Sequence, residues 1–376
     1  MIELTTPCKE GCEIKYINKA LESNDFSGSG TFNNMCQNWF KDYLGASIAL
    51  TTSSCSHALD MSALILDIKK GDEVIMSSFN FVSAANSFAA RGAKIIFIDV
   101  NPDTMNLNEE LLEKAISKKT KAIVVMHYAG LSCEMDLICE IARKYEIPII
   151  EDCAHSIGSK YKNKFLGTFG EISTFSFHST KNLTSGGEGG LLCLNNKKHI
   201  KLAEIIREKG TNRSQFIRGE IDKYSWVNLG SSYLMNDLSA AYLYGQLTKF
   251  ELIQNKRHDL YNQYNEELKA LVEKDIISIQ KKIKNTEHSA HLFYIILKTP
   301  QILNRLKIFL KKHKIEASTH YVPLHSSYAG KKYGDFHGND NYTSKLSVRL
   351  LRLPLHYALK KEEVSYVCQK VKEFFK

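Results

Sequence analysis

Short runs of apolar, often β-branched residues recur along the first half of the chain, at 73–76, 94–99, 122–127, 148–151, 174–177 and 191–194. Between them the apolar positions change to helical spacing. Leu111, Leu112, Ala115 and Ile116 recur this way within 108–117, as do Leu137, Ile138, Ile141 and Ala142 within 135–145. Strand-like runs alternating with helices of crossover length predict an α/β layout around a mostly parallel sheet.

The texture changes near residue 250. A long polar helix is predicted from Leu247 to Leu271, followed by a strand at 292–297, a helix around 303–312 and a strand at 315–321. The expected organisation is a large α/β domain over 1–250, which includes the N-terminal segment, and a smaller α+β domain over 251–376. No internal repeat or low-complexity tract interrupts it.

Composition narrows the picture. With 376 residues, 43% of them hydrophobic and 24% charged, the chain can fill both cores and leaves no room for a long disordered tract. The net charge of +9 raises the question of nucleic acid. The lysines at 118–121 and 281–284, however, read as solvated helical surfaces, so no nucleic-acid partner is expected. A positive field of this kind would also help to collect an anionic small molecule.

Nine cysteines lack the paired short spacings of a zinc site, which predicts reduced thiols and no metal. The opening Met-Ile-Glu-Leu has no basic stretch followed by an apolar core, and no apolar run is long enough to span a bilayer. A cytoplasmic protein is the expectation.

The candidate chemistry lies in three segments. Pro148-Ile-Ile-Glu-Asp-Cys-Ala-His155 is an apolar strand ending in a carboxylate, and parallel sheets place ligands at the carboxyl ends of their strands. Asp152 is therefore a site candidate, although an acid there can also cap a following helix. Its neighbour Cys153 reads as a packed small side chain.

In the second segment, the strand Thr174-Phe-Ser-Phe177 leads into His178-Ser-Thr-Lys181 and then Ser185-Gly-Gly-Glu-Gly-Gly190. Burial disfavours a charged lysine, so Lys181, set between an apolar strand and a glycine-dense turn, can become a nucleophile toward an aldehyde. The alternative is an ordinary surface lysine in a loop.

Third, Thr51-Thr-Ser-Ser-Cys-Ser56 precedes a helical pattern over 57–66. Such a helix start would aim free amides at an anion, or the serines could serve only as a cap.

Together these segments offer what a pyridoxal 5'-phosphate (PLP) enzyme requires. Lys181 would be the amine and Asp152 the carboxylate facing the pyridine nitrogen. Phe81, in Ser78-Phe-Asn-Phe-Val82, could cover the ring or be a core residue. The amides of the helix start, with the Ser176 hydroxyl, would hold a phosphate.

The segments Glu151-Asp-Cys-Ala-His155, Phe175-Ser-Phe-His-Ser-Thr-Lys-Asn182 and Gly186-Gly-Glu-Gly-Gly190 closely resemble those of the DegT/DnrJ/EryC1/StrS sugar aminotransferases. The resemblance runs essentially end to end, through 78–90, 207–213, 230–237 and 320–325. It is nearest to the transaminases that make dTDP-4-amino-4,6-dideoxygalactose in deoxysugar and surface-polysaccharide synthesis.

The resemblance implies a fold-type I PLP enzyme, like aspartate aminotransferase, working as a homodimer with active sites shared between subunits. It implies glutamate as amino donor and transfer to C4 of dTDP-4-oxo-6-deoxy-D-glucose. The same chemistry at C3, or a non-catalytic relative that binds PLP or a sugar nucleotide, is the alternative. Carried over at matching positions, Lys181 is the Schiff-base lysine, Asp152 pairs with the pyridine nitrogen, His155 sits near the ring hydroxyl and Phe81 stacks.

Cys55, Ser56 and Ser176 would hold the phosphate, with Ser232 reaching it from the neighbouring subunit. Tyr321 and His325 would contact nucleotide or sugar. The sequence departs from many relatives at Ser232, where asparagine is common, and at Cys55 and Ser56, where glycine and threonine are. The latter leaves backbone amides unaffected but removes a methyl group.

Overall fold

The computed structural model describes residues 1–281 and 283–376. The strands of the two larger sheets, in chain order, are β1 (Ile48–Thr52), β2 (Glu73–Ser77), β3 (Lys94–Ile98), β4 (Thr120–Met126), β5 (Ile149–Asp152), β6 (Ile172–Ser176), β7 (Gly190–Leu194), β8 (Ile277–Ile279), β9 (Phe293–Leu297), β10 (Ser318–Thr319), β11 (Gly334–Phe336) and β12 (Leu350–Leu353). Eight of them form one sheet in the order β1-β7-β6-β5-β4-β2-β3-β11. Only β7 runs against its neighbours; the other pairings are parallel.

Helices cover both faces of this sheet, and the strand residues divide between them. Ile75, Ile123 and Val125 pack into the core shared with the helices Thr31–Leu44, Met135–Lys144 and Asp237–Leu247. Val74, Met76, Ala122 and Val124 face the opposite core, with the helices Cys55–Ile65, Val82–Ala89 and Ile200–Arg207. Burial on both faces is why these strands read as nearly unbroken apolar runs.

The smaller sheet, β8-β9-β12-β10, is antiparallel throughout. It packs its own core against the helices Pro300–Lys312 and Lys361–Phe374.

Several expectations are corrected. The helix predicted over 247–271 is Phe250–Glu273, and Leu247 instead ends a separate helix, Asp237–Leu247. The Thr248 hydroxyl donates to the Gly245 carbonyl (2.6 Å) and closes the latter. Of the strand predicted over 315–321, only β10 joins the smaller sheet; Ile315 bridges to the chain's start instead, and His320 and Tyr321 leave the sheet to line a cavity.

The lysines at 118–121 are exposed but lie in a turn and the start of β4, not on a helix. Of the run at 281–284, residue 282 lies outside the described residues, and Lys281 pairs with Asp103 at 2.8 Å outside any helix. All nine cysteines are free thiols, and no helix among the described residues is long and apolar enough to cross a membrane.

Segments also cross a division drawn at residue 250. The helix Phe250–Glu273 places Phe250 and Ile253 in the large core and Leu260, Tyr261, Tyr264 and Leu268 in the small one. β11 adds an edge strand to the large sheet beside β3. Ile2 pairs with Ile315, and the Leu4 amide donates to Glu316 (2.9 Å), so the chain's first residues dock on the smaller unit.

The end of β5 is fixed from beneath by Glu151, which is fully buried. Its carboxylate accepts from the amides of Gly167, Phe169 and Gly170, each at 2.7 Å. His127 Nδ1 accepts from the Cys133 amide (3.2 Å), so its proton sits on Nε2 and is donated to Glu151 (3.1 Å). His127, Glu151 and Cys153 lie within 4.8 Å of one another, a grouping that could suit a metal. Because both imidazole nitrogens and both carboxylate oxygens are already engaged, this cluster acts as a hydrogen-bonded strut.

Replacing Glu151 by Gln turns one acceptor oxygen into a donor facing donors. We expect Glu151→Gln to lower unfolding stability by about 3 kcal/mol, read as a shift of the denaturation midpoint. An unchanged midpoint would show that Glu151 does not anchor β5.

Candidate active site

Parallel strands that point the same way gather their carboxyl ends on one edge of the large sheet. There a cavity of about 570 Å³ opens between that edge and the smaller unit. Lys181, Asp152, His155, Ser176, Cys55, Ser56, Phe81 and Tyr321 all line it. Two sequence candidates do not. His325 is held by Ser78 (2.6 Å) and Asp340 (3.2 Å) away from the cavity, and Ser232 is exposed on the surface of this chain.

Asp152 ends β5 and is 3% exposed. No helix starts after it, so it is not a helix cap; it accepts one bond, from the Ala154 amide at 3.1 Å. Burial pushes its pKa up, opposed by that amide and by the nearby Lys181 charge.

Lys181 follows β6 in a tight loop closed by backbone bonds from Ser179 to Gly187 (2.8 Å) and from Phe177 to Gly189 (2.8 Å). Asn182 pins that loop, donating to Gln254 (3.0 Å) and Ser289 (2.8 Å). Burial pushes the Lys181 amine down from its usual range, while Cys55 and Asp152 pull it back up. The loop needs glycine at Gly186, which takes a left-handed φ of 88°.

The serine segment both caps a helix and reaches the cavity, on different residues. Ser54 caps the helix Cys55–Ile65 by accepting from the His57 amide (3.1 Å). The next two residues, Cys55 and Ser56, face the cavity, and amides in a first helical turn have no intrahelical acceptor. Gly190 lets β7 approach this helix start, since a Cβ there would lie 2.3 Å from the Ser54 carbonyl carbon. Ser56 also bonds Ser83 (2.7 Å). Ser176, at the end of β6, faces the cavity as well.

Phe81 is not a core residue: it is 52% exposed, and Phe79 takes the buried place, at 1%. Cys153 is buried at 1% and its thiol pKa is driven well up by burial, as befits a packed side chain.

His155 accepts a bond at Nδ1 from the Ala129 amide (3.3 Å) and stacks on His291, with ring centroids 4.2 Å apart. A backbone N–H can only donate, so neutral His155 carries its proton on Nε2. Burial and the Lys181 charge hold its pKa well below the usual histidine range.

Sequence reasoning passed over His291, His320, Thr180 and Arg352, which also line the cavity. His320 has its pKa pushed down to about 2 by burial. For Arg352 a signal existed: a charged residue interrupts the apolar strand Leu350-Leu-Arg-Leu353.

The residues fit PLP in kind. They supply an amine, a buried carboxylate, an aromatic side chain at the cavity mouth, and a helix start with two hydroxyls that suits a phosphate. A glycine keeps that helix start clear of side-chain bulk.

Residues 7–372 match the model of the DegT/DnrJ/EryC1/StrS aminotransferase family. The chain is 30% identical over its whole length to a GDP-perosamine synthase of Vibrio cholerae, covering 99% of that protein. Among solved structures it is similar to the aminotransferase TlmJ of Streptoalloteichus hindustanus, with a TM-score of 0.91 and 26% identity, covering 100% of this chain and 99% of that one. It is likewise similar to the PLP form of a putative sugar aminotransferase, Spr1654 of Streptococcus pneumoniae, with a TM-score of 0.91 and 25% identity over 99% of this chain and 98% of the other.

A fold-type I sheet, a lysine and an aspartate at the carboxyl ends of its strands, and a family match across nearly the whole chain lead to one conclusion: this protein belongs to the DegT/DnrJ/EryC1/StrS aminotransferase family and is a PLP-dependent enzyme, with sugar aminotransferases among its relatives.

Proposed function

We propose that this enzyme moves the amino group of glutamate onto C4 of dTDP-4-oxo-6-deoxy-D-glucose, giving dTDP-4-amino-4,6-dideoxy-D-galactose. The observation that carries the transaminase reading is the convergence of Lys181 and Asp152 on one cavity, each pressed by burial toward its neutral form. The choice of C4 and of dTDP rests on the sequence resemblance. Relatives named GDP-perosamine synthase make a GDP-linked sugar the competing substrate.

Bound PLP supplies an aldehyde to receive nitrogen and a ring that takes up electrons when a C–H bond breaks. Lys181 Nζ, once neutral, takes the proton from the α carbon of glutamate; in the second half of the reaction it delivers a proton to the sugar carbon. Asp152 holds negative charge against the ring nitrogen, which stabilises the electron-rich state. His155 offers its Nε2 proton to the ring hydroxyl, Phe81 covers one ring face, and Cys55, Ser56 and Ser176 hold the phosphate. Tyr321 contacts the sugar nucleotide.

A homodimer is part of the proposal. Tyr224, Trp226, Val227 and Leu229 stand exposed just before Ser232, Trp226 at 75%. An apolar run of this kind suits burial against a second copy. His325, outside the cavity of its own chain, is proposed to meet substrate only as that assembly forms.

Lys181→Ala should cut product formation by at least about 100-fold, followed as 2-oxoglutarate release; full activity in this variant ends the proposal. Asp152→Asn should stay yellow with bound cofactor yet lose about 100-fold or more in turnover. Incubation with glutamate and either the dTDP- or the GDP-linked 4-oxo-6-deoxy sugar, with NMR of the product, tests the substrate. Nitrogen on C4 of the dTDP sugar is expected, and nitrogen on C3, or turnover of the GDP sugar alone, would replace that assignment.

The rate at which PLP-free protein turns yellow on adding PLP should rise with pH and level off below the ordinary lysine value, because burial lowers the Lys181 pKa. The Asp152 charge raises that pKa. Asp152→Asn should therefore move the levelling point to lower pH, and a move to higher pH would contradict the electrostatics.

A further inference from the structure

The helix Pro300–Lys312 carries no acidic residue. Its Leu303, Leu306 and Leu310 enter the core of the smaller unit beside Leu351. The other side of the helix is exposed at Arg305, Lys307, Ile308, Lys311 and Lys312, and exposed Lys314 follows just past its end. With about 3.6 residues per turn, Ile308 falls opposite Leu306 and Leu310, at the middle of this outer face. It is 59% exposed. Lys311 and Lys312 lie one turn further on, with Arg305 and Lys307 to either side.

Among the described residues none of these cations is in an ion pair. Two acids of the same unit are engaged elsewhere: Glu316 accepts from the Leu4 amide (2.9 Å) and Glu373 from Lys370 (2.8 Å). Cations in a last turn offset the partial negative charge of a helix end, which accounts for Lys311 and Lys312. It does not account for Arg305 or Lys307. Lys307 and Lys311 also stand one turn apart, a spacing at which like charges oppose the helix. A surface that serves solubility alone mixes both signs, whereas this one is uniformly positive around an apolar centre.

We propose that this outer face is a docking surface for a bilayer bearing anionic phospholipid headgroups. Lysines and arginines clustered on an amphipathic helix are drawn to a negative lipid surface, and an apolar side chain among them enters the headgroup boundary. Nucleic acid would meet the same cations through its phosphates but would leave Ile308 in water, so the apolar centre favours the bilayer. The helix covers the face of the smaller sheet that turns away from the cavity. Leu351 of β12 packs beneath the helix, while its neighbour Arg352 lines the cavity, as successive strand residues point to opposite faces. The docked face is therefore not the one that borders the reaction site, and docking is independent of which sugar is turned over.

The test is flotation of the whole PLP-loaded chain with vesicles of phosphatidylcholine, alone or with about one-third phosphatidylglycerol. The protein should float with the anionic vesicles only, and raising the salt from about 0.1 M to about 0.5 M should release it. Lys307→Glu with Lys311→Glu should weaken the partition by at least about 10-fold, and the milder Lys307→Gln with Lys311→Gln by about 3- to 10-fold. The same reversal at Lys118 and Lys119, exposed in a turn of the large unit, should change it by less than about 3-fold. Ile308→Ser should weaken it by about 3-fold and leave its salt dependence as it was. Retained yellow colour and an unchanged denaturation midpoint report that each variant is folded.

Native protein that floats with neither vesicle would overturn the assignment. So would equal losses from the reversals at 307 and 311 and at 118 and 119, which would make net charge, and not this helix, the cause. Binding of duplex DNA that the reversal at 307 and 311 abolishes, without flotation of the native protein, would replace the bilayer by nucleic acid.

Discussion

Desolvation at the carboxyl ends of the parallel strands is the constraint on which the site depends. An ammonium and a carboxylate face the same cavity, and each is disfavoured in its charged form by burial while being supported by the other. Water would erase that balance. The two apolar cores of the large sheet, the smaller unit closing over the edge, and the backbone bonds that knot the Lys181 loop all serve to keep those two groups dry and fixed.

Much of this was legible in the sequence, and the reasons are local. Each doubly buried strand must be apolar along its length, so β2 through β7 announce themselves as runs, with ends misplaced by a residue or two. Asp152 stands out because a charged residue ends such a run, and Lys181 because it falls between such a run and a glycine-dense turn. Phe81 could be read as ring cover or core; the structure gives the core place to Phe79 two residues earlier.

What stayed hidden depends on contacts distant in sequence. Arg352 reaches the cavity only because β12 is central in the smaller sheet, 171 residues after Lys181 in the numbering. Nothing near residue 334 suggests that β11 crosses back to the large sheet. The strand β1 was passed over because its polar Thr51 and Thr52 looked like the start of the phosphate turn; both are in fact buried. His325 and Ser232 lie outside the cavity of a single chain, and one sequence carries no sign of where a second copy would stand.

The helix Phe250–Glu273 is 24 residues long, a rod of about 36 Å. Its two ends are embedded in different cores, so it works as a stiff lever, with Arg257 about a third of the way along donating to the carbonyls of Ala290, His291 and Leu355. His291 stacks on His155, which means that this lever is coupled to the floor of the pocket by a single side chain's span. Severing the chain at residue 250 would therefore not release a compact module. It would leave one fragment without its brace and the other with a frayed, greasy stump.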